Sequence, residues 1–99
     1  MILIRDIFQL KFGTAKEAKA LWKDGFAILR KAGFPDIRIL TDMTGTYYTF
    51  VLESQHKSLS DYEESAKREA DSTEWRAWYP KFAALVETGR REIFSIVDL

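Results

Sequence analysis

Ile2-Leu3-Ile4-Arg5-Asp6-Ile7-Phe8-Gln9-Leu10-Lys11-Phe12, residues 2–12, is the stretch whose reading decides the fold. Ile2, Ile4, Phe8, Leu10 and Phe12 share one side of it, with Asp6 among them. Leu3, Arg5, Ile7, Gln9 and Lys11 take the other. A period of two over this length predicts a strand, and Gly13 ends it. The period then changes. Thr14 with Glu17 is a capping-box pattern, and Ala18, Leu21, Trp22, Gly25, Ile28, Leu29 and Ala32 form an apolar stripe at helical spacing up to Gly33, a natural left-handed cap.

Beyond Pro35, Ile37-Arg38-Ile39-Leu40 reads as a short strand, joined through residues 41–46 to a third strand from Tyr47 to Glu53. Ser58 is a candidate cap for a second helix carrying Leu59, Tyr62, Ala66 and Ala70. Asp71-Ser72-Thr73 interrupts that helix. Trp75, Trp78, Phe82, Leu85 and Val86 then share a face up to Gly89, with Pro80 as a kink or as the start of the segment's second half, and residues 90–97 close the chain as a strand. The order βαββαβ predicts an α+β, ferredoxin-like domain over residues 1–99, a four-stranded antiparallel sheet with helices on one face.

Composition excludes several function classes. Fifteen basic and fifteen acidic residues cancel without clustering, so no electrostatic footprint for nucleic acid is expected, nor one for an anionic membrane surface. With no cysteine and one histidine, no thiolate or histidine metal site is expected. The five glycines are isolated, so no phosphate-cradling loop is present. The apolar run at residues 1–4 is too short for a signal-peptide core or membrane span, and the expected location is the cytoplasm.

Helices on one side of a sheet leave its other side bare. Ile4, Phe8, Leu10, Tyr48, Phe50 and Leu52 belong under the helices, yet Leu3, Ile7, Tyr47 and Val51 point the opposite way. A second copy packed sheet to sheet would cover them, so a homodimer is expected.

The junction Phe8-Gln9-Leu10-Lys11-Phe12-Gly13, the segment Phe50-Val51-Leu52-Glu53-Ser54 followed by Asp61-Tyr62, and the run from Trp75 through Phe82 and Leu85 to Gly89-Arg90-Arg91-Glu92-Ile93 resemble the dimeric α/β-barrel superfamily. This superfamily includes NIPSNAP-like proteins, antibiotic-biosynthesis monooxygenases and stress-responsive barrel proteins. The resemblance covers nearly the whole chain. It implies a barrel of two sheets, with a small-molecule pocket in each subunit between sheet and helices.

Within that implied pocket the candidate catalytic residues are Asp6, Tyr62 and His56. Asp6 is expected in an apolar surround that favours its neutral form unless donors meet it, as suits a general base or a hydroxyl-binding group. Tyr62 stands where several stress-responsive members also have a tyrosine, and its phenol could orient a ligand; a core tyrosine is the plain alternative. His56 is expected in the loop after the third strand. In the haem-degrading branch the haem histidine lies on the second helix, which His56 precedes, so no haem and no other cofactor is expected. Phe8, Tyr48 and Phe50 from the sheet, Trp22 from the first helix, and Trp75, Trp78 and Phe82 from the last are the candidate ligand-binding wall, or simply core. Of the adjacent Arg90 and Arg91, at most one can serve a given pocket.

Two functions follow. One is a small-molecule pocket protein whose enzymatic forms would be a cofactor-independent monooxygenase or a cyclase or isomerase acting on an aromatic or polyketide-like compound. The other is a non-catalytic dimeric module binding a ligand or partner, with Asp6 merely salt-bridged.

Overall fold

In the computed structural model, which describes all of residues 1–99, the alternating segment is strand β1 (Ile2–Leu10), inside the sheet. Helix α1 (Ala15–Lys31) follows. Thr14 is its N-cap residue, but the capping box does not form: the Thr14 hydroxyl donates backward to the Lys11 carbonyl at 2.6 Å, and no side chain caps the first turn. At the other end Gly33 is left-handed (φ +83°), and the Phe34 N–H reaches back to the Leu29 carbonyl at 3.0 Å, closing the helix as expected.

Strand β2 (Ile37–Thr41) pairs with β3 (Thr49–His56). The third strand starts and ends later than its pattern suggested. Tyr47 and Tyr48 belong to the preceding turn, where Tyr48 adopts a left-handed backbone (φ 58°) that no strand tolerates and its carbonyl accepts the Leu10 N–H. Helix α2 (Leu59–Asp71) is capped by Ser58, whose hydroxyl accepts the Asp61 N–H at 3.2 Å. Ser72 ends α2 and caps α3 (Thr73–Ala83) by accepting the Trp75 N–H at 3.1 Å. Strand β4 (Val86–Ser95) begins four residues before the expected 90, because a register irregularity at Gln9/Leu10 lets Val86 pair with Leu10. The sheet order is β2-β3-β1-β4, all antiparallel, the ferredoxin-like arrangement.

The core lies between the sheet and α1 with α3, and includes Leu10, Trp22, Phe50, Leu52, Trp78 and Phe82. Gly25 makes the helix contact possible. A Cβ there would stand 2.7 Å from the Trp78 ring and 2.8 Å from the Trp22 ring, so any side chain would displace an indole. The Trp78 indole N–H then donates to the Leu21 carbonyl at 3.0 Å and fixes α3 on α1. No helix is long and apolar enough to cross a membrane.

The helix-free face carries Leu3, Ile7 and Val51 as expected, and a charged ladder runs between them. Arg38, Glu53, Arg5 and Glu92 lie in register across all four strands and alternate in sign. Glu53 accepts from Arg5 at 2.8 Å and from Arg38 at 2.6 Å, and Arg5 lies 3.8 Å from Glu92. Leu40, Val51 and Ile7 form an apolar row on one side of this ladder, while Leu3 and Phe94 flank it on the other. Ile7 is only 7% exposed, and Tyr47 sits in the turn instead of on the face. The Glu53 carboxyl lies below its usual range, chiefly through the Arg38 hydrogen bond, against the opposing effect of burial.

Candidate functional site

Between the helix-bearing face of the sheet and the helices lies a cavity of about 100 Å³. Its wall is aromatic, with Phe8 from β1, Trp22 from α1, and Trp75, Tyr79 and Phe82 from α3. Its polar groups come from the middle of the sheet and from α2: Asp6, Arg91, Ser54, Tyr62 and Glu69. Phe8 keeps its place because β4 opposes it with Gly89, where a Cβ would come within 2.9 Å of the ring.

Asp6 faces the helices as expected, but its surround is not apolar. Arg91, directly opposite on β4, meets it through two hydrogen bonds, Nε to Oδ1 at 2.5 Å and Nη2 to Oδ2 at 3.4 Å. The pair is partly open to water, with the Asp6 side chain 22% and the Arg91 side chain 51% exposed. Arg91 also lies over the Tyr62 ring at 5.5 Å. Of the two adjacent arginines, therefore, Arg91 serves this cavity, and Arg90 stands 3.7 Å from Glu92 on the other face. The Asp6 hydrogen bond raises the guanidinium's already high pKa, and burial raises that of the Tyr62 phenol.

The carboxyl that burial does disturb is Glu69. It is half-buried on α2, and desolvation lifts its pKa to about 7, opposed by the Arg91 charge and reinforced by that of Asp6. Reading the sequence did not single out Glu69. The signal available was its i+7 spacing from Tyr62, two turns along the same face.

His56 is not a loop residue. It is the last residue of β3, 4% exposed, and its Nε2 lies 2.9 Å from the Ser54 hydroxyl. Its ring packs edge to face against Phe34 at 5.4 Å and Tyr62 at 5.1 Å. Burial lowers its pKa, opposed by Asp61, so it is neutral at pH 7. His56 is thus held one residue contact behind the cavity, through Ser54 and Tyr62.

Among the candidate wall residues, Phe8, Trp22, Trp75 and Phe82 line the cavity. Phe50 and Trp78 do not; both are buried in the core, where Phe50 is 5.7 Å and Trp78 6.0 Å from the Phe82 ring. Tyr48 lies outside as well, in the turn before β3, edge-on to Phe12 at 5.0 Å. A stripe at helical spacing reports which residues face inward; it does not report which of them touches a void.

No family model and no curated protein matches the chain. Solved structures do. An uncharacterized NIPSNAP domain protein from Burkholderia xenovorans, 18% identical, superposes with a TM-score of 0.90 over 98% of this chain and 95% of that one. A NIPSNAP family protein from Agrobacterium tumefaciens, 22% identical, gives 0.91 over 98% and 86%. SnoaB, a cofactor-independent oxygenase from Streptomyces nogalater, 12% identical, gives 0.73 over 99% and 94%. The chain shares its ferredoxin-like fold with NIPSNAP proteins and antibiotic-biosynthesis monooxygenases.

Proposed function

We propose that the chain binds a compact, single-ring compound in this cavity and moves a proton on it without a bound cofactor, working as a homodimer. One observation carries the reading: an aromatic-walled cavity whose polar side holds a carboxyl with a pKa of about 7. A carboxyl poised there accepts and returns a proton at neutral pH more readily than an ordinary one. Size narrows the ligand. Drug-sized ligands occupy roughly 300–1,000 Å³ and an engineered cavity of about 150 Å³ takes benzene, so a cavity of about 100 Å³ suits one ring and not a fused polyketide.

In this arrangement Glu69 is the proton-transfer group. Arg91, held by Asp6, and the Tyr62 phenol supply positive charge and a hydrogen bond to oxygen atoms of the ligand. Asp6 positions Arg91. Removing a proton beside a carbonyl gives an electron-rich enolate, the kind of species that isomerises, cyclises or meets dioxygen unaided, and a neighbour of the same fold is a cofactor-independent oxygenase.

The test is a binding screen of single-ring phenols and ring ketones, followed by deuterium uptake from D2O into any enolisable ligand. Wild type is expected to catalyse uptake, Glu69→Gln to bind without catalysing it, and Asp6→Ala to weaken both while remaining folded. The ion pair that occupies Asp6 favours a second reading, a non-catalytic ligand-binding module. Binding with neither proton exchange nor oxygen consumption would establish that reading, and absence of any binding would remove both.

A further inference from the structure

Arg91 is the only lysine or arginine on the cavity wall, and three carboxyls share that wall with it: Asp6, Glu53 and Glu69. Arg5 and Arg38 neutralise Glu53 from the helix-free face. Asp6 takes up Arg91 through two of its nitrogens, Nε and Nη2, the forked pairing with which a guanidinium grips a carboxylate. The arginine that could hold an acidic ligand therefore already holds an acid of this chain. Asp6 and Arg91 cancel, so the cavity is neutral while Glu69 is protonated and singly negative once Glu69 ionises. In neither state does it offer a free positive charge.

We infer that Asp6 selects the ligand by charge: by occupying Arg91 it confines the cavity to uncharged ring compounds and shuts out ring carboxylates. The inference rests on the pocket reading above and adds the ligand's charge class and the residue that sets it. It depends on net charge, which acts across a cavity this narrow, and not on the direction of any one donor. Pairing cancels the charge but leaves a dipole, which suits a carbonyl or hydroxyl oxygen on a neutral ligand. An anion meets the opposite balance, since desolvating it beside Asp6 is compensated by no unpaired cation. Both members of the pair are partly open to water, and screening limits the size of the discrimination.

Furan-2-carboxamide and furan-2-carboxylate share a small planar shape and differ by one charge, so calorimetric titration of the full-length protein with each isolates that charge. At pH 6, where Glu69 with its pKa of about 7 is largely protonated, wild type is expected to bind the amide at least about tenfold more tightly than the carboxylate. Asp6→Asn removes the charge while keeping an oxygen for the Arg91 Nε–H, and is expected to shrink this ratio about tenfold by gaining affinity for the carboxylate. Adding Arg91→Gln to Asp6→Asn is expected to abolish the gain. Equal binding of the two compounds by wild type, or an unmoved ratio in Asp6→Asn, overturns the role of Asp6 and leaves the pocket standing. If Asp6→Asn fails to fold, Asp6→Ser is read in the same way, and the wild-type ratio still decides alone when the two compounds bind equally. Binding of neither compound by any of these proteins overturns the inference together with the pocket.

Discussion

Two carboxyls show how far one side chain can be judged from its neighbours in sequence. Asp6, set among apolar strand residues, looks like the acid whose protonation burial would perturb, but a partner 85 positions away ion-pairs it. Glu69 stands among charged residues of α2 and looks solvated, yet the fold half-buries it against the cavity with a pKa of about 7. That value exceeds the ordinary 4.5, so between the two the folded protein binds a proton the unfolded chain releases. Stability contributed at lower pH is therefore lost as the pH rises through about 7. Glu69→Gln removes this titration. Its melting temperature is expected to match wild type near pH 4 and to exceed it by roughly 4 °C or more at about pH 8, and equal melting at both would show that Glu69 is solvated. His56 differs again: only its place on the strand, opposite Ile2 in the register, turns it inward.

At the scale of elements, periodicity named every helix and strand but misjudged where β3 and β4 begin. Tyr47 and Tyr48 continue the apolar pattern of β3, while the left-handed backbone at Tyr48 belongs to a turn. The start of β4 depends on a register slip in β1, a pairing no local pattern contains. Gly25 poses a sharper contest. Alanine in a helix interior is favoured over glycine by about 1 kcal/mol, whereas overpacking a filled core costs about 1–3 kcal/mol. A Cβ at Gly25 would stand 2.7 Å from the Trp78 ring, so overpacking wins and Gly25→Ala is expected to lower the urea midpoint. A raised midpoint would mean that α1 and α3 are not in close contact.

For the whole molecule the question is what covers the helix-free face. The alternating ladder of Arg38, Glu53, Arg5 and Glu92 is flanked by apolar rows, and a two-fold-related copy can oppose apolar row to apolar row. Sedimentation equilibrium is expected to give a dimer. Lysines at both Leu40 and Val51, neighbours across β2 and β3 on this face, are expected to give a folded monomer. A monomeric wild type would sink the dimer proposal and leave the ladder as a solvent-facing feature.

The sequence by itself determined the element order, the sheet's inward face and the helix ends at Gly33 and Ser58, because periods of 2 and 3.6 and the chemistry of caps are local. Tertiary structure alone decided that Arg91 pairs with Asp6, that Glu69 and His56 are withdrawn from water, and that Trp78 fills the core while Trp75 lines the cavity. Those properties depend on how completely atoms distant in the chain surround a group, and burial of that kind is set only when the layers pack.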